Sequence, residues 1–523
     1  MTQFGRDRIA DFPHSQHGRL AILISGLSLL LVGFAVFAQA QTATSREMYW
    51  PTQGWRSSSP EAQGMDSAKL AEAFDYIQRR KTPIHSLLIV RNGNVVLDAY
   101  FYPFKSGQLH DGASMTKSVT STLIGIAIGQ HRLTGVSQPI LSLFPRRPIA
   151  NRDERKERIT IEHLLTMTSN LECRAQHEIT LSEMMQSKDW IKFMLDLPMA
   201  KDTENNFVYC SGGMHLLSGI ITQATGMNAL EFARRELFHS LGINVAVWPA
   251  DPNGITHGWG DLHLQPHDWA KLGYLWLNHG RWEGRQLVPT DWMESATQIH
   301  SRTPRGDQYG YGFWIHADRK PPEFEALGRG GQRVSVVPAL NLIVVFTGGE
   351  FEPGDIGSFI GQSIKSDRPL PENPAGATRL AKAVNDARQP PVPQASAPEA
   401  PITKTVSGKT YQLESNPIDL KSLSLIFSKS NEAVLHLEFA DGRIEQRPIG
   451  LDGVPRISSN GRFGLPVALK GAWETNDTFV FDYNEVANIN SYAFRMTFSG
   501  SYVNVQVTEK TGLTEGRFNG RQR

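Results

Sequence analysis

Between residues 59 and 366, strand-like stretches stand at the two ends and helical periodicity fills the middle. This order constrains the fold more than any other feature of the chain. Residues 86–91 and 95–100 form two alternating apolar stretches with Asn92-Gly93 between them, a dipeptide suited to a turn whose central residues both take positive φ. A helical stretch over 69–80 comes before them, and helical periodicity returns from 114 to about 278. Strand signals reappear at 310–315, 333–337 and 342–346. A strand needs a partner and a buried face, so the simplest closure joins both ends in one antiparallel sheet. The expected class is α+β: an antiparallel sheet flanked by helices, with a helical insertion between its two halves.

The rest of the chain changes character twice. Residues 367–403 are rich in proline, as in Gln389-Pro390-Pro391-Val392-Pro393, and predict a stiff, extended linker. Residues 404–523 alternate like strands, for example Val434–Phe439 and Tyr502–Val507, with turns such as Asp441-Gly442. They predict a small all-β barrel or sandwich. At the other end, Arg6, Arg8 and Arg19 precede an apolar run over 20–37 and then Ala38-Gln39-Ala40. That is the pattern of a cleaved signal peptide, although a run of this length also spans a bilayer, which makes an uncleaved anchor the rival expectation. The expected division is 1–40 signal peptide or anchor, 50–366 mixed α/β unit, 367–403 linker and 404–523 β unit. The expected location is the periplasm or the exterior.

Lys plus Arg number 53 and Asp plus Glu 52, so the chain has no broad electrostatic reason to hold nucleic acid or an anionic membrane. The two cysteines, Cys173 and Cys210, exclude a four-cysteine zinc site. In an oxidising compartment they invite pairing.

Three elements could carry chemistry. In Ser114-Met115-Thr116-Lys117 the pair is three residues apart at the head of an apolar helix, so Lys117 projects beside the Ser114 hydroxyl. Serine is a poor nucleophile without a base, and desolvation would push a buried lysine toward the free amine. The plain alternative is a capping serine and an exposed lysine. Tyr209-Cys210-Ser211 precedes a second helix and could set a phenol in the same cleft as a proton relay; otherwise Tyr209 is a packed core residue. Gly328-Arg329-Gly330-Gly331-Gln332 opens a strand and could present backbone N–H groups to a developing oxyanion; otherwise it is a glycine-rich turn.

In this order the three elements resemble the class C β-lactamase-like serine hydrolases, which include D-alanyl-D-alanine peptidases, secreted carboxylesterases and 6-aminohexanoate-dimer hydrolases. The stretches at 164–170, 268–273, 287–289 and 309–314 resemble the esterase and aminohexanoate branch. The resemblance spans about residues 55–365. It implies an acyl-enzyme on Ser114, with Lys117 and Tyr209 moving the proton. It also implies substrate or oxyanion contacts from Ser211, Arg329, Gly330, Gly331 and Gln332. Ser211 stands where many members have Asn, and the third element lacks Lys-Thr-Gly; Arg329 either offers a substitute cationic grip or faces solvent. These departures favour ester or amide substrates over β-lactams. The literal Lys510-Thr511-Gly512 lies in the β-rich region and predicts a hairpin turn.

Other chemistries find little support. No Gly-x-Ser-x-Gly elbow or Walker A motif occurs. His263 and His267 are separated by Pro266, which argues against one helical ligand face. No metal and no cofactor is expected. The expected partner is a small ester, amide or peptide substrate, with no nucleic acid, and no membrane unless the N-terminal segment is retained. The competing function is an inactive envelope protein that binds peptide or cell-wall fragments on the same fold.

Overall fold

The structure is a computed structural model that describes residues 49–201, 207–395 and 399–523. The expected signal peptide or anchor at 1–40 lies outside them. The hairpin around Asn92-Gly93 begins the main sheet. Asn92 and Gly93 take φ of 50° and 75°, the pair of left-handed residues a tight two-residue hairpin needs. They join β2 (Ile84–Arg91) to β3 (Asn94–Tyr100), and β1 (Arg56–Ser57) lies parallel to β3. The other six strands come from the far end of the segment: β4 (Ser301–Arg302), β5 (Gln308–Tyr309), β6 (Trp314–His316), β7 (Glu323–Gly328), β8 (Gln332–Val337) and β9 (Leu342–Gly348). The sheet order is β1-β3-β2-β9-β8-β7-β6-β5-β4. Antiparallel β2–β9 pairing is thus the seam that brings the two ends together.

Every residue of β2 and β9 is buried, because both faces of the sheet are covered. Leu88, Val90, Ile343 and Val345 face the helical insertion. Leu87, Ile89, Val344 and Phe346 face a second layer that includes α1 (Ser67–Arg80), capped by Asp66. Alternation of side chains along each strand sorts one apolar run into two cores. Within the insertion, α2 (Thr116–Gly129) is buried on nearly all sides and neighbours α3 (Ser211–Thr225). A helix buried this completely belongs inside a core, and its polar Ser118, Thr120 and Thr122 hydroxyls donate to main-chain carbonyls.

Two expectations change. Strand β7 was not foreseen, because Glu323 and Glu325 mask its pattern; Glu325 is buried and takes hydrogen bonds from Ser335 and His316. The 367–403 stretch is not extended throughout. Residues Pro374–Ala387 form a helix, capped by Asn373 and packed on α1 through Leu380, which is 6% exposed. A proline at the first helical position loses no helical hydrogen bond, and the alanine-rich run behind it propagates readily.

Residues 410–522 carry ten strands: β10 (Thr410–Leu413), β11 (Leu420–Lys429), β12 (Glu432–Phe439), β13 (Ile444–Gly450), β14 (Arg456–Ser458), β15 (Val467–Trp473), β16 (Thr478–Glu485), β17 (Ser491–Ser499), β18 (Tyr502–Glu509) and β19 (Glu515–Gln522). Their order is β13-β12-β11-β10-β19-β18-β17-β16-β15-β14. A parallel contact at Gly450 and Lys470 joins β13 to β15. That closes nine strands into a barrel and leaves β14 as an appendage, which decides between barrel and sandwich. Inward residues such as Leu435, Val503, Val505 and Met496 fill its core.

Cys173 and Cys210 form a disulfide with Cα atoms 5.9 Å apart, closing a separation of 37 residues. No helix among the described residues is long and apolar enough to cross a membrane. Chain-entropy arguments put the cross-link's contribution at about 4 kcal/mol. The Cys173→Ser/Cys210→Ser variant is expected to unfold at a lower urea concentration by roughly that free energy. Reductant should shift the wild type to the same midpoint and leave the variant unmoved.

Candidate active site

Ser114 sits in a short 3-10 turn, Ala113–Met115, that runs directly into α2. The turn is held tightly. Ala113 has φ of 45°, a conformation costly for a residue with a Cβ, and its N–H donates to Asp111 Oδ1 at 2.7 Å. A Cβ on Gly112 would lie 2.1 Å from the Trp269 ring, and one on Gly328 would lie 2.5 Å from the Gly112 carbonyl oxygen. The glycines therefore let the end of β7 and the ring of Trp269 close on the turn from two directions.

Lys117, one helical turn further, is 1% exposed. Its Nζ lies 2.8 Å from Ser114 Oγ and 3.0 Å from the Trp259 carbonyl oxygen. Both partners are neutral oxygens, so the group is desolvated without a counter-charge in its hydrogen-bond set. The Trp259 carbonyl was not legible in sequence, because any residue supplies one. It is set in place by Gly258, whose carbonyl accepts from Thr120 and whose Cα packs against the Met214 carbonyl, with no room for a side chain.

The Tyr209 ring centroid is 4.7 Å from Lys117 Nζ. The ring stacks on Trp314 at 6.1 Å, and Phe207 and Tyr309 extend the aromatic wall. Cys210 follows immediately, so the disulfide anchors this residue's connection to α3. Ser114, Lys117 and Tyr209 thus share one small volume.

Ser211 does not join them. It is buried and donates to Glu178 at 2.8 Å, because the start of α3 turns its side chain toward that carboxylate. Arg329 is also committed elsewhere: its guanidinium donates to Thr511 Oγ1 and Asn490 Oδ1, both at 2.8 Å, on connections of the β-barrel. The expected grip on a substrate anion is therefore replaced by a tie to the barrel. Gly330 and Gly331 take φ of 75° and 92°. A Cβ on Gly330 would meet Ile489 at 2.4 Å. The Gln332 amide brackets Gly348, accepting from its N–H and donating to its carbonyl, which fixes the turn at the mouth of β8. Lys510-Thr511-Gly512 forms the β18–β19 turn, with Gly512 at φ 80°.

The barrel connection over 486–490 touches the site at several points. The Ala487 carbonyl accepts from Asp111 N–H, Asn488 Oδ1 pairs with His263 Nε2 at 2.7 Å, and Asn490 holds Arg329. His267 instead faces Asp98 at 3.3 Å, so the two histidines serve different partners. His316, Glu323 and Glu325 place possible ligand atoms within 4.8 Å of one another. Arg319, Arg333 and Ser335 already engage those carboxylates, and no metal is assigned there.

A family model described as Beta-lactamase matches residues 63–355. The chain belongs to the β-lactamase family. Over 306 residues it is 25% identical to an uncharacterized protein of Alkalihalophilus pseudofirmus, covering 50% of this chain and 82% of that one. It is 23% identical over 243 residues to the 6-aminohexanoate-dimer hydrolase of Paenarthrobacter ureafaciens, covering 44% of this chain and 60% of the relative. Among solved structures, the octameric penicillin-binding protein homologue from Pyrococcus abyssi aligns with 86% of this β-lactamase-family chain and 99% of its own, at TM-score 0.46 and 17% identity. A family VIII carboxylesterase aligns with 64% of this chain and 99% of its own, at TM-score 0.44 and 14% identity.

Behind the Ser114 turn lies a buried imidazole pair. His110 donates through Nδ1 to the Asp111 carbonyl, which leaves Nε2 to accept from His85 Nδ1 at 2.8 Å. Burial pushes His85 down to about 4, and burial together with His85 pushes His110 well below its ordinary value. The unfolded chain protonates these rings near pH 6.5 and the fold does not. Stability is therefore full above about pH 6.5 and is lost as pH falls toward about 4, by ~3 kcal/mol for His85. Urea midpoints are expected to fall across that window. His85→Gln, which retains a donor for His110, should flatten the slope; an unchanged slope refutes the assignment.

Proposed function

We propose that this protein hydrolyses ester or amide bonds through an acyl-enzyme on Ser114. The observation that carries the reading is the 2.8 Å contact between Nζ of the buried Lys117 and Oγ of the half-buried Ser114. Lys117 acts as the general base: the Ser114 oxygen attacks the substrate carbonyl carbon while its proton passes to Nζ. The carbonyl oxygen becomes an oxyanion, and backbone N–H groups of Ser114 and of Gly331 or Gln332 receive it. The proton then moves, with Tyr209 as relay, to the leaving alcohol or amine as the acyl C–O or C–N bond breaks. Water attacks the acyl carbon, gives a proton to the same relay and releases the acid, and Ser114 recovers its proton.

Ester or amide substrates fit better than β-lactams. The third motif lacks Lys-Thr-Gly, and Arg329 is engaged by Thr511 and Asn490, so no cation of that motif is offered to a lactam carboxylate. The relative named a 6-aminohexanoate-dimer hydrolase makes a small amide a further substrate class. Export to the periplasm or exterior is part of the proposal, and the Cys173–Cys210 disulfide is compatible with an oxidising compartment.

A fluorophosphonate probe is expected to label the wild type at Ser114 and to leave Ser114→Ala unlabelled. Lys117→Met should slow labelling by about 10²–10⁴-fold, the usual span for a lost general base, and Tyr209→Phe by a smaller factor. Absence of labelling in the wild type, or equal labelling of Ser114→Ala, returns the protein to the class of envelope binding proteins. In parallel, kcat/KM for p-nitrophenyl butyrate should exceed that for nitrocefin by about two orders of magnitude. That gap corresponds to ~3 kcal/mol of differential transition-state binding.

A further inference from the structure

The barrel contains a cavity of about 1090 Å³, large enough for a drug-sized ligand. Its walls come from strand ends beside the 486–490 connection, and one of its lining residues, Phe463, stands 5.2 Å ring to ring from His263. The cavity is distinct from the cleft formed by Ser114, Lys117 and Tyr209.

Its charges are unevenly satisfied. Glu445 accepts from Arg443 at 2.6 Å, from Arg447 at 3.2 Å and from the Tyr483 hydroxyl at 2.8 Å, so that carboxylate is neutralised from within. Glu485, on the same cavity, is not: its Oε2 is closed to solvent and has no hydrogen-bond partner. Burial raises the Glu485 carboxyl above its ordinary value, opposed chiefly by Arg462. Arg462 itself is exposed and lies over the Phe463 ring. A buried carboxylate without a donor is costly, and a ligand that brings a positive donor relieves that cost. On the same cavity, Leu437, Ile457, Tyr492 and Phe494 supply apolar and aromatic wall, which suits a hydrophobic body and attracts a cation to the ring faces.

We propose that the barrel cavity is a binding site for an organic amine, with its ammonium on Glu485 and an apolar or aromatic body against Leu437 and Phe494. The pairing requires a cationic head: an anion of the same shape meets Glu485 as a like charge, and a neutral alcohol provides one donor without the charge.

Isothermal titration of the full chain with 4-phenylbutylamine, 4-phenyl-1-butanol and 4-phenylbutyrate tests this. The amine is expected to bind with one-to-one stoichiometry. The alcohol should bind more weakly, and the carboxylate at least tenfold more weakly than the amine. Glu485→Gln, which preserves shape, should weaken amine binding at least tenfold, and Leu437→Trp should block it by filling the cavity. Ser114→Ala should bind the amine as the wild type does, which keeps this result independent of any hydrolase activity. Three results overturn the proposal: no saturable amine binding, equal binding of the carboxylate, or amine binding unchanged by Glu485→Gln.

Discussion

A lysine side chain held in a dry place, with a serine hydroxyl and a main-chain carbonyl as its hydrogen-bond partners, is the interaction on which the rest of this structure depends. Lys117 reaches that position because it is carried on a helix buried on nearly every side. An isolated lysine at such a site would be strongly disfavoured. The fold offsets the cost by ordering two oxygens against Nζ, one from Ser114 and one from Trp259. The sheet, the strained Ala113 turn and the glycine contacts at Gly112, Gly258 and Gly328 all converge on keeping those atoms within hydrogen-bond reach.

The barrel is tied into the same region. Its 486–490 connection supplies a carbonyl to Asp111, an amide to His263 and an acceptor to Arg329, and the Thr511 hydroxyl completes the hold on that guanidinium. Arg329 belongs to the glycine-rich motif beside Ser114. The position of that motif is therefore set jointly by the sheet that bears it and by a unit more than 100 residues later in the chain. A partly buried guanidinium that donates to two separate partners is fixed in orientation as well as distance.

Parts of this were legible in the sequence. The Asn92-Gly93 hairpin, the strands at 86–91, 95–100, 333–337 and 342–346 and the helical insertion followed from periodicity and turn chemistry, which act over a few residues. Of 310–315, by contrast, only Trp314 and Ile315 are strand, because the chain turns at Gly312. The juxtaposition of Ser114 and Lys117 followed from helical spacing. The helix at Pro374–Ala387 was hidden because prolines at both ends of the stretch suggested extension throughout. Strand β7 was hidden because its buried Glu325 is satisfied only by side chains from other strands.

What the chain determined by itself was local: which residues turn, which alternate, which lie one helical turn apart. Those preferences depend on near neighbours in sequence, so they survive without knowledge of the fold. Three features were decided only by tertiary structure: the carbonyl of Trp259 as the second partner of Lys117, the turn of Ser211 toward Glu178, and the capture of Arg329 by Asn490 and Thr511. Each joins groups 33 to 182 residues apart, and a main-chain oxygen or a surface-type arginine carries no mark of such a partner until the chain has closed on itself.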